Sequence, residues 1–177
     1  MKPLKTEVAF ATPWFQILSK TMRHGEEPYY SLKLPDYAVV VAITEEQRVL
    51  IVRQYRPAVE RDTLEFPSGI VDPGETPEAA ARRELLEETG YQGGDWQVLG
   101  ALEPDSGRLG NRIWNFLATG VRHTENRAPE EGIAVLTWSL DELAQAMTDG
   151  RFSMALHVAA VMMAVLKAGL RLAAASN

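Results

Sequence analysis

Glu84, Glu87 and Glu88 stand at i, i+3 and i+4 in a stretch that carries helix punctuation at both ends. Thr76 suits an N-cap, Pro77 a first helical position and Gly90 a left-handed stop. On such a helix the three carboxylates project from one side, at a spacing where like charges repel. Leu85, Leu86 and the neighbouring alanines form a separate apolar face that can dock the helix onto a core. The acids therefore need compensation, either from solvent together with Arg82 and Arg83 or from a bound cation. The turn ahead of the helix, with Gly69, Pro73 and Gly74, can fold back over it. Clustered hard oxygens suit Mg²⁺ or Mn²⁺, which keeps water or phosphate oxygens as its other ligands. A metal-bound water is acidified and can attack phosphorus while the ion offsets phosphate charge.

A chain of 177 residues, 46% of them hydrophobic, can build one domain with a real core. Eighteen Lys and Arg against 24 Asp and Glu leave a net charge of −6, which argues against a large basic nucleic-acid surface. There is no cysteine, hence no disulfide, thiolate metal site or catalytic thiol, in keeping with a reducing, cytoplasmic setting. The first twenty residues lack the pattern of a signal peptide. The apolar stretch 153–175 is broken by His157, Lys167 and Arg171, so no membrane span is expected.

Runs rich in β-branched residues predict strands over 39–43 and 49–52, joined by the polar loop Thr44-Glu45-Glu46-Gln47-Arg48. Further strands are expected over 113–118 and 134–138. Ser139 and Glu142 form a capping-box pair that opens a helix ending near Gly150, and a last helix is expected over 153–174. Being apolar on most faces, that last helix must be covered on more than one side. This order of elements predicts a mixed α/β or α+β domain rather than a doubly wound nucleotide fold.

Gly69-Ile70-Val71-Asp72-Pro73-Gly74-Glu75, seven residues, and then Arg83-Glu84-Leu85-Leu86-Glu87-Glu88-Thr89-Gly90-Tyr91 resemble the Nudix box, G-x5-E-x7-R-E-U-x-E-E-x-G-U, where U is bulky and apolar. Tyr91 is the one soft match, and a chance fit in this chain falls below about one in a million. The resemblance implies an α/β/α sandwich around a mixed sheet, preceded here by a β-rich N-terminal segment over 1–36, with the Nudix domain over 37–177. It also implies hydrolysis of a nucleoside diphosphate linked to a second group. Val52-Arg53-Gln54-Tyr55-Arg56-Pro57 and Leu64-Glu65-Phe66-Pro67-Ser68-Gly69 look like the ADP-ribose and nucleotide-sugar pyrophosphatase branch. That likeness implies Mg²⁺, with Mn²⁺ a substitute, held by the Ser68 carbonyl, Glu84 and Glu88, with Glu87 assisting. Arg83 would orient a box carboxylate and Glu75 would support the loop. A late acidic residue often serves as base or metal ligand in this branch; Glu130 and Glu131 sit in the comparable place, and Glu131 is favoured.

Arginine forks suit diphosphate oxygens, and Arg56 and Arg112 are chosen over Arg53 and Arg108. In dimeric relatives exchanged N-terminal segments stack the adenine between aromatic rings. Trp14 and Tyr30 occupy the comparable region here, so a homodimer is expected. The loop Glu103-Pro104-Asp105-Ser106-Gly107-Arg108 departs from the SPG-like loop of ADP-ribose-specific members, which leaves the second group of the substrate open. Other readings are a Nudix hydrolase acting on dinucleoside polyphosphates, coenzyme A derivatives or oxidised nucleoside triphosphates, and a non-catalytic module that senses ADP-ribose.

Overall fold

The structure, a computed structural model, describes residues 2–125 and 127–172. An antiparallel sheet of β1 (Lys5–Ala11), β2 (Gln16–Thr21) and β3 (Tyr29–Lys33) comes first. It is followed by β4 (Tyr37–Thr44), β5 (Val49–Arg56), β6 (Arg61–Glu65), β7 (Ser68–Ile70) and helix α1 (Pro77–Thr89). Then come β8 (Tyr91–Gln92), β9 (Asp95–Leu102), β10 (Ile113–His123), β11 (Ala134–Trp138), α2 (Leu140–Thr148) and α3 (Ala155–Ala168).

The second sheet runs β11-β5-β4-β10-β8, with β6 on β5, β7 on β4 and β9 on β10. It is mixed: β4 and β10 run parallel, and the other pairs are antiparallel. β4 is buried along nearly its whole length, as a strand covered on both faces must be. Its side chains alternate between two cores. Val39, Val41 and Ile43 join Ile51 and meet Leu143 and Ala146 of α2 and Val161 and Ala164 of α3. Ala38, Val40 and Ala42 face the other way, with Leu50 and Phe116, under Ala80, Ala81 and Leu85 of α1. Helices thus cover both faces of a mixed sheet, the α/β/α sandwich expected from the sequence. Leu85 is fully buried, so truncating it to alanine would cost roughly 2–5 kcal/mol and undock α1.

The caps sit where the local chemistry places them. Thr76 accepts the Ala79 N–H at 3.2 Å, and Gly90, at φ 74°, turns its N–H back to the Leu86 carbonyl. Ser139 and Glu142 make the reciprocal capping box of α2. α3 is shorter than expected. It begins at Ala155, after Met154, and Gly169 ends it by taking φ 70° and bonding the Ala164 carbonyl. The expected extension over 170–172 is not helical, and 173–174 lie outside the described residues.

The N-terminal sheet is hydrogen-bonded to the rest of the chain through Leu32. Leu32 N–H donates to the Arg108 carbonyl at 2.8 Å, and Gly110 N–H donates to the Leu32 carbonyl at 3.2 Å. The Arg108 guanidinium lies over the Tyr29 ring, 4.7 Å from its centroid. β1 is exposed along its whole length. Among the described residues no helix is long and apolar enough to cross a membrane.

Candidate active site

The site is built where β7 turns into α1. β7 pairs with β4, which fixes Ser68 opposite Val39 and Gly69 opposite Ala38. The chain then passes through the turn at Gly74 and enters α1, whose last two turns lie against β7. Glu88 is 5% exposed, and its Oε2 accepts the Ser68 N–H at 2.8 Å. Gly69 leaves room for the Glu84 carboxyl group, which a Cβ there would displace.

Arg83 braces the turn against the helix. Its Nε and Nη2 donate to the two Glu75 oxygens at 3.1 and 3.0 Å, and Nη2 also donates to the Ile70 carbonyl at 2.9 Å. Nη1 reaches Glu84 Oε1 at 2.6 Å and Glu87 Oε2 at 3.1 Å. Glu75 is held below the usual carboxylate range by the Arg83 hydrogen bonds. Glu87 faces Arg83 and Arg127, the latter at 3.7 Å.

Ser68, Glu84 and Glu88 line a cavity of about 590 Å³, together with Trp14, Tyr37, Gln54, Arg56, Glu130 and Glu131. Burial pushes the Glu88 carboxyl up to about 8, aided by the charges of Glu84 and Glu65 and opposed by the Ser68 N–H and Arg56. Burial likewise raises Glu84, with Arg83 opposing it and Glu87 and Glu130 adding to it. Among the described residues no three His, Asp or Glu side chains converge tightly enough to hold an ion by themselves. Two crowded, water-poor carboxylates beside Ser68 nevertheless form an all-oxygen donor set that a divalent cation fits, leaving positions for water and phosphate oxygens.

Arg56 enters the same cavity from β5, gripped by Glu65 through hydrogen bonds of 2.8 and 2.7 Å. Tyr37 lies beside it with its hydroxyl 3.2 Å from Ser68 Oγ, and burial raises its phenol. A more apolar chamber of about 390 Å³ adjoins; it shares Trp14, Tyr37, Arg56 and Ile70 and adds Phe15, Leu109, Ile113, Met154 and Leu156.

The structure brings Ser68, Glu84, Glu88, Arg56, Trp14 and Glu131 to one cavity. Glu87 and Arg83 brace the helix at its margin instead of lining it. Arg112 and Tyr30 also lie off it. The Arg112 backbone N–H donates to Asp36 at 2.9 Å, and Tyr30 stands opposite Ser19 on β3, half exposed.

The sequence profile of the NUDIX domain matches residues 34–157, which takes in the box, the β4 to β7 frame and the loop bearing Glu131. The chain belongs to the NUDIX family. It is 32% identical to a methanol dehydrogenase activator of Bacillus methanolicus over 156 residues, 85% of this chain and 84% of that protein. It is also 32% identical to an ADP-ribose pyrophosphatase of Bacillus subtilis (strain 168), over 63% of this chain and 62% of that one. A crystal structure of an ADP compounds hydrolase superposes with a TM-score of 0.73 at 23% identity, covering 92% of each chain, a likeness of fold. The resemblance to the ADP-ribose pyrophosphatase branch is borne out by these relatives.

Three side chains at this Nudix site were given no role by the sequence. Tyr37 is an ordinary strand residue until the sheet turns it into the cavity. Gln54 and Glu65 stand within the stretches that resemble the branch, but only the fold shows Gln54 lining the cavity and Glu65 fully buried. The alternation of β6, with Thr63 and Glu65 inward, was the pattern that could have found Glu65.

Proposed function

We propose that this Nudix protein hydrolyses the diphosphate bond of ADP-ribose or a related nucleoside diphosphate sugar, giving a nucleoside monophosphate and a sugar phosphate. The observation that carries the reading is the convergence of Glu84, Glu88 and Ser68 with Arg56 on one cavity of about 590 Å³. Relatives of the branch act on ADP-ribose, and Mg²⁺ is the proposed ion, with Mn²⁺ a substitute.

Glu84, Glu88 and the Ser68 carbonyl are the proposed metal ligands, with Arg83 holding Glu84 and Glu87 in register. The chemistry supplied by an ion there is neutralisation of diphosphate charge and acidification of water. Glu131 takes a proton from the attacking water as its oxygen bonds to phosphorus, and the bridging P–O bond breaks. Arg56 offsets the charge that builds on the departing phosphate. Trp14 and the adjoining apolar chamber give the nucleobase a wall.

The same reading includes a homodimer. Val8, Phe10, Trp14 and Tyr30 are each at least half exposed, an apolar surface on a thin sheet that a second copy would cover. Tyr30, off the cavity in a single chain, belongs to that surface.

The test is product identification by ³¹P NMR after incubating the protein with ADP-ribose, other ADP-sugars, a dinucleoside polyphosphate and a coenzyme A derivative in Mg²⁺. Release of AMP and a sugar phosphate from the ADP-sugars is expected. Turnover confined to the other substrates would replace this reading, and tight ADP-ribose binding without product would make the protein a sensor.

A further inference from the structure

We infer that Glu65 is a positioning residue, holding the Arg56 guanidinium in the orientation that faces the diphosphate; this rests on the reading of Arg56 as the phosphate-binding arginine. β5 and β6 are antiparallel, with Val52 opposite Glu65 and Gln54 opposite Thr63, so Arg56, Gln54, Thr63 and Glu65 share one face of the hairpin. Arg56 reaches back along that face and meets Glu65 as a fork, Nε to Oε1 at 2.8 Å and Nη2 to Oε2 at 2.7 Å. Both carboxylate oxygens are used on the same edge of the guanidinium, which leaves its remaining N–H groups for the cavity.

The partner is fixed more firmly than the arginine. Glu65 is 0% exposed and takes a further hydrogen bond from the Thr63 hydroxyl at 2.5 Å. The next residue is pinned to the opposite layer: Phe66 N–H donates to His157 Nδ1 at 2.7 Å, and its ring packs 5.0 Å from that of Phe152. Glu65 is thereby an anchored acceptor, and Arg56 is a long side chain whose free end it orders. An ion pair with one buried and one half-exposed partner is a poor source of net stability, since desolvating the buried acid offsets much of the attraction. Its use here is geometric. Arg56 stands where the acidic cavity meets the apolar chamber, and a swing of the guanidinium would remove its donors from both. A displacement of about 1 Å at such a group can cost on the order of 10²-fold in rate.

A double-mutant cycle with ADP-ribose and Mg²⁺ tests this, reading kcat and KM for wild type, Arg56→Ala, Glu65→Gln and the double variant, with near-UV circular dichroism as the check on folding. Arg56→Ala is expected to lower kcat/KM about 10²-fold, and Glu65→Gln about tenfold or more in the wild-type background. In the Arg56→Ala background Glu65→Gln should cost nothing further. If Glu65→Gln fails to fold, Glu65→Asp takes its place in the cycle, keeping the charge but withdrawing the carboxylate by one methylene. Equal losses in both backgrounds would show that Glu65 acts on the fold and not through Arg56, and overturn the inference. Wild-type kcat/KM in a folded Glu65 variant would overturn it too. Wild-type kcat/KM in Arg56→Ala is the distinct signature that the reading of Arg56 itself has failed, and it removes the inference with it.

Discussion

The side chain of Glu88, on the last turn of α1, accepts the backbone N–H of Ser68 on β7 at 2.8 Å. One bond thus ties the end of the box helix to the residue just before the box glycine, and it sets two of the proposed metal ligands side by side. The bond also leaves Glu88 nearly sealed from water, with Glu84 for a neighbour.

The first consequence is a pH dependence that a metal should erase. Glu88 rises from an ordinary 4.5 to about 8 in the folded chain. Between those values the folded state binds more protons than the unfolded one, so stability falls as pH rises, and the loss is complete above about 8. His157, buried and pushed down to about 4, works in the opposite sense, gaining stability from about 4 up to its ordinary 6.5. From about pH 6.5 to 8 the Glu88 effect stands clear of it. In EDTA, urea unfolding should show stability falling across that window by about 1–2 kcal/mol. With saturating Mg²⁺ the slope should vanish, and in Glu88→Gln it should be absent without metal. A flat profile for wild type in EDTA would count against the crowded, water-poor setting of this acid.

Gly69→Ala should act on the site more than on the fold. The new Cβ overlaps the Glu84 carboxyl group, the far end of a flexible side chain, so that carboxylate must swing away. Urea unfolding should change by about 1 kcal/mol or less, while kcat/KM falls on the order of 10²-fold. Near-wild-type activity would mean that Glu84 can leave this position without consequence.

Arg83→Lys should fail to replace the native arginine. Arg83 serves both Glu75 oxygens, the Ile70 carbonyl, Glu84 and Glu87 from one planar fork, and an ammonium group cannot reach them together. The expected outcome is a drop of about 10–100-fold in kcat/KM with KM for Mg²⁺ raised, since in the proposed function the arginine orders metal ligands rather than the substrate. Steady-state kinetics over a Mg²⁺ series separates this from a change in substrate KM alone.

The exposed N-terminal sheet gives a prediction about particle size. Light scattering should return about twice the 19.6 kDa chain mass, and Phe10→Asp, on exposed β1, should reduce it to that of one chain. A monomer at micromolar concentration in the wild type would remove the dimer from the proposed function.

Much of this architecture could be read from the sequence because its signals are local. Thr76 and Gly90 close α1, Ser139 with Glu142 opens α2, and the buried run of β4 needs no partner to be recognised. The convergence of Ser68, Glu84 and Glu88 on one cavity follows for the same reason, their placement being set by spacing along one loop and one helix. What escaped depends on the tertiary fold. Glu65 finds Arg56 across a hairpin, and His157 finds Phe66 from 91 residues away. Glu87 has the same helical spacing as its neighbours, yet Arg83 and Arg127 draw it to the margin of the cavity. The last helix stops at Gly169 although Leu170, Arg171 and Leu172 are all helix-favouring types, because only the backbone angle shows that this glycine has turned left-handed.

The most direct measurement is Mn²⁺ binding, followed by electron paramagnetic resonance, to the wild-type protein and to Glu84→Gln and Glu88→Gln without substrate. Wild type should bind Mn²⁺, with Mg²⁺ competing for the same site, and each variant should bind at least about tenfold more weakly. Binding of equal strength in all three proteins, or none in the wild type, would contradict the assignment of Glu84 and Glu88 as the metal cradle.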